Sequence, residues 1–385
     1  MEYFEITDTM KAVQDTCDVI AKKLDRSYIA ECGQKNQMPM KLWQLWAETG
    51  LLGMGVPEEY GGSGGGVSEV VLANDLLYRA GLDLPHTTTN AMSRATIVKH
   101  GTEAQKRKYL PPTVDGKENF AFAVTEPDAG TNTFKIRTNA KRDGNNYVLN
   151  GQKYYITGFL EATNALVVAR TSPADSANRT AGISLFIVNT KSEGISATPM
   201  KIGVHLPDRQ YVVNFDNVRV PAENLVGIEG NGLAAMFDCM NPERLISGAK
   251  SLGFADHVLN RAVEYAKIRA PFGKPIGSYQ SIQHGLALAK TRIEAARCMI
   301  YQAAALFDRG GEVGLQANMA KFLSADAFKA AADIAMTTFG GAAFDLSQDI
   351  LPFYLRAKLA ETAPVNNNAV LGFIGQQALG LPRSW

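Results

Sequence analysis

Four stretches of this chain hold residues whose types and spacing could do chemistry. The first is residues 120–158, FAFAVTEPDAGTNTFKIRTNAKRDGNNYVLNGQKYYITG. Its apolar start, Phe120 to Val124, breaks into Thr125-Glu126-Pro127-Asp128-Ala129-Gly130-Thr131, a turn rich in hydroxyls and backbone freedom. Asp143-Gly144 is a strong hairpin signal, and Lys153-Tyr154-Tyr155-Ile156-Thr157-Gly158 closes the unit with two aromatic rings and another hydroxyl. The second stretch, Asn241-Pro242-Glu243-Arg244-Leu245, sets a carboxylate beside a guanidinium. Its plain structural explanation is an acid in the first helical turn behind Pro242, where the helix dipole favours it. The third, Arg269-Ala-Pro-Phe272-Gly-Lys-Pro-Ile276 with Gln280 after it, offers one planar cation. The fourth, Met336-Thr-Thr-Phe-Gly340-Gly341-Ala-Ala343, has the paired glycines that let a backbone approach another group closely. Taken singly, an arginine or a Gly-Gly is structural far more often than functional.

Other chemistries are poorly supplied. The five histidines, His86, His100, His205, His257 and His284, lie singly, and no Ser-His-Asp order or metal-ligand spacing is present. Cys17, Cys32, Cys239 and Cys298 form no metal-type pair and read as free thiols in a reducing compartment. The glycines of residues 53–66 (GMGVPEEYGGSGGG) are not a dinucleotide fingerprint, because no strand precedes them and no suitable acid follows. A net charge of +1 with both signs scattered gives no footprint for nucleic acid. No apolar run is long enough to span a membrane, and the start, MEYFEITDTM, is too acidic for a secretory or transit signal. A cytoplasmic, soluble protein is expected.

The 385 residues are enough for two or three domains with a large core. Residues 1–117 read as helices. Residues 12–24 and 40–52 carry apolar side chains at helical spacing, 67–80 and 88–100 follow, and Thr102-Glu-Ala-Gln105 is a capping box opening a helix that Pro111-Pro112 should end. Residues 118–228 change to short alternating runs, with strands expected at 165–169, 183–188 and 211–215 in a β-barrel or sandwich. Residues 229–385 return to long Ala- and Leu-rich helices, a four-helix-type bundle. The fold class expected is thus α+β multidomain, helical, then β, then helical.

Taken together and in order, these motifs resemble the acyl-CoA dehydrogenase family over nearly the whole chain. VTEPDAGTN followed by LNGQKYYITG is similar to its flavin-embracing middle domain, VPEEYGG to a loop of its N-terminal bundle, and R-x-x-F-G-x-x-I…Q to its pyrophosphate-binding segment. The resemblance implies FAD. It assigns Thr125 and Thr157 as hydrogen-bond partners of the flavin, Tyr155 as the ring that covers it where the family usually has Trp, and Thr131 beside cofactor and substrate. It also assigns Arg269, Phe272, Gln280, Gly340 and Gly341 to the cofactor, with the arginine reaching into a neighbouring subunit. A homodimer or homotetramer is therefore implied. Thr337 and Ala343 stand where the family usually has Gln and Gly, which weakens that last contact.

The family needs a carboxylate to take the α-proton of an acyl thioester. Most members place it near the C-terminus after an R-D-A-K stretch; a minority place it earlier, in an E-R context. Ungapped counting puts Pro364, or one residue away Ala363, at the late position, and Glu361 is the only carboxylate nearby. Glu243 matches the early one, 26 residues before Arg269. The resemblance thus implies Glu243 as catalytic base and Arg244 as a CoA contact. The thioester carbonyl is held in the family partly by the N–H of the late position, and Pro364 has none. The helix that floors the acyl pocket reads His86-Thr-Thr-Thr-Asn-Ala-Met-Ser-Arg94, small and polar, unlike a site for a plain medium-length fatty chain. The expected reaction is α,β-dehydrogenation of an acyl-CoA, with electrons passed to an electron-transfer flavoprotein. The competing readings are another flavin reaction on the same scaffold, such as an oxidase or monooxygenase, and a non-catalytic partner subunit.

Overall fold

The computed structural model describes residues 6–173, 178 and 180–383. In chain order the helices and strands are α1 (Asp8–Lys23), α2 (Arg26–Lys35), α3 (Met40–Glu48), α4 (Val67–Arg79), α5 (His86–His100), α6 (Glu103–Val114), β1 (Phe120–Ala123), β2 (Asn139–Asp143), β3 (Asn146–Thr157), β4 (Asn164–Arg170), β5 (Ile183–Asn189), β6 (Ile195–Pro199), β7 (Gln210–Pro221) and β8 (Leu225–Val226). Then follow α7 (Gly232–Ile268), α8 (Gln280–Asp308), α9 (Gly314–Phe339), α10 (Leu351–Ala360) and α11 (Asn367–Leu379). The helical, β, helical order expected from patterning is the order observed.

Local chemistry sets most boundaries. The capping box at α6 is made: Thr102 Oγ1 accepts from the Gln105 N–H at 3.2 Å, and Gln105 Oε1 accepts from the Thr102 N–H at 3.0 Å. The expected stop at Pro111-Pro112 is wrong, because α6 runs through both prolines to Val114. They fall in its last turn, where a φ fixed near the helical value is compatible and few bonds remain to lose. A 3.1 Å bond from the Asp115 N–H to the Pro111 carbonyl closes the end.

Two compact units emerge. One takes the chain up to Ala30, Gly66–Asp83 and everything from Arg244 on; the other takes Glu31–Gly65 and Leu84–Glu243. The second unit holds the sheet, ordered β6-β7-β3-β2-β4-β5-β8 with β1 parallel to β4. Both faces of β4 are buried, so its residues alternate between two cores. Leu166 and Val168 join Leu185, Ile187, Ile97, Leu110 and Met236 on the side covered by α5, α6 and the start of α7. Ala165, Val167 and Ala169 join Tyr147, Leu149, Tyr211 and Val213, where strands of the same sheet curl over one another. In the first unit α8 packs along α9, α10 and α11 pack on α9, and α4 packs on α1 and α8. Arg297 of α8, 3% exposed, is paired with two buried acids, Asp75 of α4 at 2.9 Å and Asp256 of α7.

Candidate active site

β1 delivers the hydroxyl-rich turn. Asn90 of α5 accepts the Phe120 N–H at 3.0 Å, fixing where the strand starts. At its other end the Glu126 and Ala129 backbones exchange two 3.1 Å bonds that close the turn. Thr125 is half-buried just before Glu126, and Thr131 is exposed just beyond the turn. Among the described residues neither hydroxyl has an intramolecular hydrogen bond.

The end of β3 delivers the aromatic and the last threonine. Lys153 pairs with Val213 and Ile156 with Tyr211, so three steps along β3 face two along β7, a β-bulge. Tyr155 in the bulge takes φ +57°, a left-handed conformation uncommon for a residue with a Cβ, and is 59% exposed. The neighbouring Tyr154 N–H donates to the Thr125 carbonyl at 2.8 Å, tying the bulge to the turn. Thr157 is half-buried and exchanges hydrogen bonds with Gln210 of β7, at 2.9 and 3.1 Å. Gly158 must be glycine: it has φ +59°, and a Cβ there would stand 1.9 Å from Nε2 of His86 in α5. Thr125 on one segment, and Tyr155 and Thr157 on another far from it in sequence, are thereby held on two backbone segments bonded to each other.

Glu243 is not where a dipole argument would put it. Counted from Gly232 it is the twelfth residue of the continuous 37-residue α7, with Pro242 inside the helix, so the N-terminal explanation fails. It is half-buried. One turn earlier the Cys239 thiol is pushed up to about 12 by burial, against a hydrogen bond with Thr96 of α5, while the Glu243 carboxylate pushes it further up.

Within the other unit, Arg269, Phe272, Gly340 and Gly341 line one groove of about 660 Å³ together with Tyr265 and Tyr279. Gln280 starts α8 beside this groove but is absent from its walls. Arg269 is exposed, and no ion pair of it occurs among the described residues. A Cβ at Gly340 or Gly341 would meet nothing within 4 Å, so these glycines border open space. Tyr265 and Phe339 stack at 4.2 Å behind them. One guanidinium, several hydroxyls, aromatic rings and no acid among the wall residues is a donor set that fits an anionic pyrophosphate carried on a flat ring system. Arg244, also in this unit, lies near enough to Lys321 to help lower its pKa.

Pro364 sits between α10 and α11 and has no N–H to give. Glu361, at the C-terminal end of α10, is engaged by Lys358 and, at 3.9 Å, by Lys329.

Counting along single motifs missed Glu126, Lys153 and Gln210, the residues that hold the assigned ones. A signal for Lys153 existed: Tyr147, Leu149, Gly151 and Lys153 share one face of a strand by the period of two, which puts a lysine on a core-facing row.

Helical, β and helical segments carrying this donor set define a class of flavin-binding oxidoreductase scaffold. The profiles of the acyl-CoA dehydrogenase N-terminal, middle and C-terminal domains match residues 7–117, 121–218 and 230–378. The acyl-CoA dehydrogenase FadE12 of Mycobacterium tuberculosis H37Rv is 38% identical over 361 residues, 93% of this chain and 92% of that protein. Among solved structures, butyryl-CoA dehydrogenase from Megasphaera elsdenii superposes with a TM-score of 0.90 at 30% identity, covering 98% of this chain and 99% of its own. A chain from a study of the electron transferring flavoprotein of Acidaminococcus fermentans gives 0.91 at 30% identity, covering 98% and 99%. The FAD complex of PigA gives 0.90 at 25%, covering 98% and 99%. This chain belongs to the acyl-CoA dehydrogenase family. Among its described residues no helix is long and apolar enough to cross a membrane, and no group of three or more His, Cys, Asp or Glu could hold a metal ion.

Proposed function

We propose that the chain is an FAD-dependent acyl-CoA dehydrogenase, which introduces an α,β double bond into an acyl-CoA thioester and passes the electrons to an electron-transfer flavoprotein. The observation that carries the catalytic part is a half-buried carboxylate, Glu243, inside α7, while the ungapped count puts Pro364 or Ala363, neither an acid, at the late position. When bound, FAD supplies the acceptor for the β-hydride. Glu243 takes the α-proton onto its carboxylate, and Arg244 beside it binds the CoA moiety. Thr125 and Thr157 donate to or accept from the flavin edge, Tyr155 covers its face, and Thr131 lies beside the substrate. With Pro364 at the late position no N–H is available there, and either a neighbouring amide such as that of Val365 polarises the thioester carbonyl, or Ala363 stands at that position, or activity is intrinsically low.

The division into 1–117, 118–228 and 229–385 is part of this reading: the middle segment supplies the flavin contacts and the last supplies the base. So is a homo-oligomer, dimer or tetramer. The groove of Arg269, Phe272, Gly340 and Gly341, with Gln280 at its edge, takes the pyrophosphate of flavin held by a second copy. Its exposed apolar side chains, Phe272 at 83% and the adjoining Ile268 at 78%, support a covered surface there.

The test is direct. The purified chain should be yellow, bleach under anaerobic conditions with at least one member of an acyl-CoA panel, and recover rapidly with electron-transfer flavoprotein and slowly with air. Rapid recovery in air would move it to the oxidases, and a colourless chain that cannot be reconstituted would favour a partner subunit. Arg269→Ala removes a charged hydrogen-bond donor worth about 1.5–3 kcal/mol, so FAD affinity should fall roughly 10- to 100-fold by flavin fluorescence titration.

A further inference from the structure

We propose that Glu126 and Lys153 form a buried clasp that positions the two flavin-facing segments, the turn after β1 and the bulged end of β3, against each other; this rests on the FAD reading above. Lys153 Nζ donates to Glu126 Oε1 at 2.8 Å and to the Val124 carbonyl at 2.8 Å. The Glu126 carboxylate also accepts the N–H of Arg137 at 2.7 Å and of Thr138 at 3.0 Å, the residues just before β2. The carboxylate thus ties its own turn to two other stretches of chain, at Lys153 and at Arg137–Thr138, by charge-assisted bonds.

The clasp lies beside two of the middle-segment residues assigned to the flavin, Thr125 and Tyr155. Thr125 immediately precedes Glu126. Tyr155 follows Lys153 by two residues, in the bulge that starts where the lysine is anchored. The loop bearing Thr131 is held at its far end by Arg170, which donates to the carbonyls of Phe134 and Ile136 at 3.0 Å each. Gly151 lets the clasp close: a Cβ on it would stand 2.6 Å from Cα of Thr138, whose N–H the carboxylate takes.

Burial makes the arrangement all-or-none. Lys153 is fully buried and Glu126 is 6% exposed. Burial draws the lysine down to about 8 although Glu126 acts to raise it. Burial acts to raise Glu126, but Lys153 and the backbone donors bring it below the usual carboxylate value. Each group is tolerable in the core because the other is there.

The experiment uses the full chain as Lys153→Met and as the double variant Glu126→Gln/Lys153→Met. The double variant leaves no unpaired charge buried, so it keeps the question answerable if the single variant fails to fold. FAD binding to apo-protein is read by flavin fluorescence quenching and visible circular dichroism. Amide hydrogen exchange of residues 120–138 and 150–158 is read without FAD. The expected result is exchange accelerated together in both segments and FAD affinity lowered on the order of tenfold or more, as for outer partners that orient a bound group. The flavin dichroism should change in a double variant that still melts cooperatively. Unchanged FAD affinity and dichroism in that folded variant would overturn the positioning role, whether or not exchange accelerates. A wild type that takes up no FAD overturns the cofactor reading itself, a result distinct from a difference between wild type and variant.

Discussion

Two carboxylates stand near motifs that the family uses for proton abstraction, and their surroundings differ in kind. Glu243 is set in the body of a long helix, where the backbone on either side is hydrogen-bonded and the side chain has a fixed origin. Glu361 ends a ten-residue helix, beside Lys358 and Lys329 and three residues before Pro364. A general base must be held within reach of its proton by a rigid support. The interior of α7 offers such a support, whereas Glu361 stands at the last turn of a short helix and is engaged by two lysines. The lesson is that a reaction needs its acid at a place in space, which two different chain positions can supply.

That contrast can be broken most sharply at Glu243. Glu243→Gln keeps size and most hydrogen bonding but removes the proton acceptor, and loss of a general base costs on the order of 10²–10⁴-fold. The rate of anaerobic flavin bleaching by acyl-CoA should fall by that factor with FAD content unchanged. A wild-type rate in this variant would end the assignment.

A smaller effect sharpens the other side of the comparison. Lys321 of α9, 2% exposed, donates to Asn367 Oδ1 at 2.6 Å and so pins the start of α11 just past Pro364. Burial first, and then Arg244, bring Lys321 down to about 8, with Glu361 acting the other way. A lysine whose folded value lies below its unfolded one destabilises the fold below pH 8, where both states carry the proton. Above pH 8 the folded state sheds it first, so stability rises until the unfolded value is passed. One such group contributes up to about 1.4 kcal/mol per pH unit in that window. Urea melts at pH 8 to 10 should show a less positive slope of stability against pH in Lys321→Met than in wild type. Comparing the two cancels other groups, including the buried thiols of Cys17 and Cys239, which are pushed up to about 12 and act in the opposite sense.

The smallest effect is expected at Glu361. Its bridges to Lys358 and Lys329 are partly exposed, and such pairs contribute about 0–1 kcal/mol. Glu361→Gln should leave the bleaching rate within about twofold of wild type and the melting temperature nearly unmoved. A large loss of rate would hand it the role given to Glu243.

Much of this molecule was legible in its sequence because the signals are local. The period change near residues 118 and 228 marks the β segment, the Thr102–Gln105 box marks a helix start, and the turn residues mark the ends of strands. The composition of the Arg269 and Gly340-Gly341 segments was readable too, and four of the five residues assigned there line one groove. Only the tertiary structure decided what depends on non-local neighbours. That α6 survives two prolines and that α7 continues through Pro242 are matters of packing around the chain, which propensity does not see. The bulge that turns Tyr155 outward depends on the register of β3 against β7, residues 55 and more positions away in sequence. That Lys153 is fully buried and meets Glu126 is decided by the same closure of the sheet. Local sequence determines which conformations each segment favours, but a buried charge is placed by the partner that folding brings to it, and no single segment contains that information.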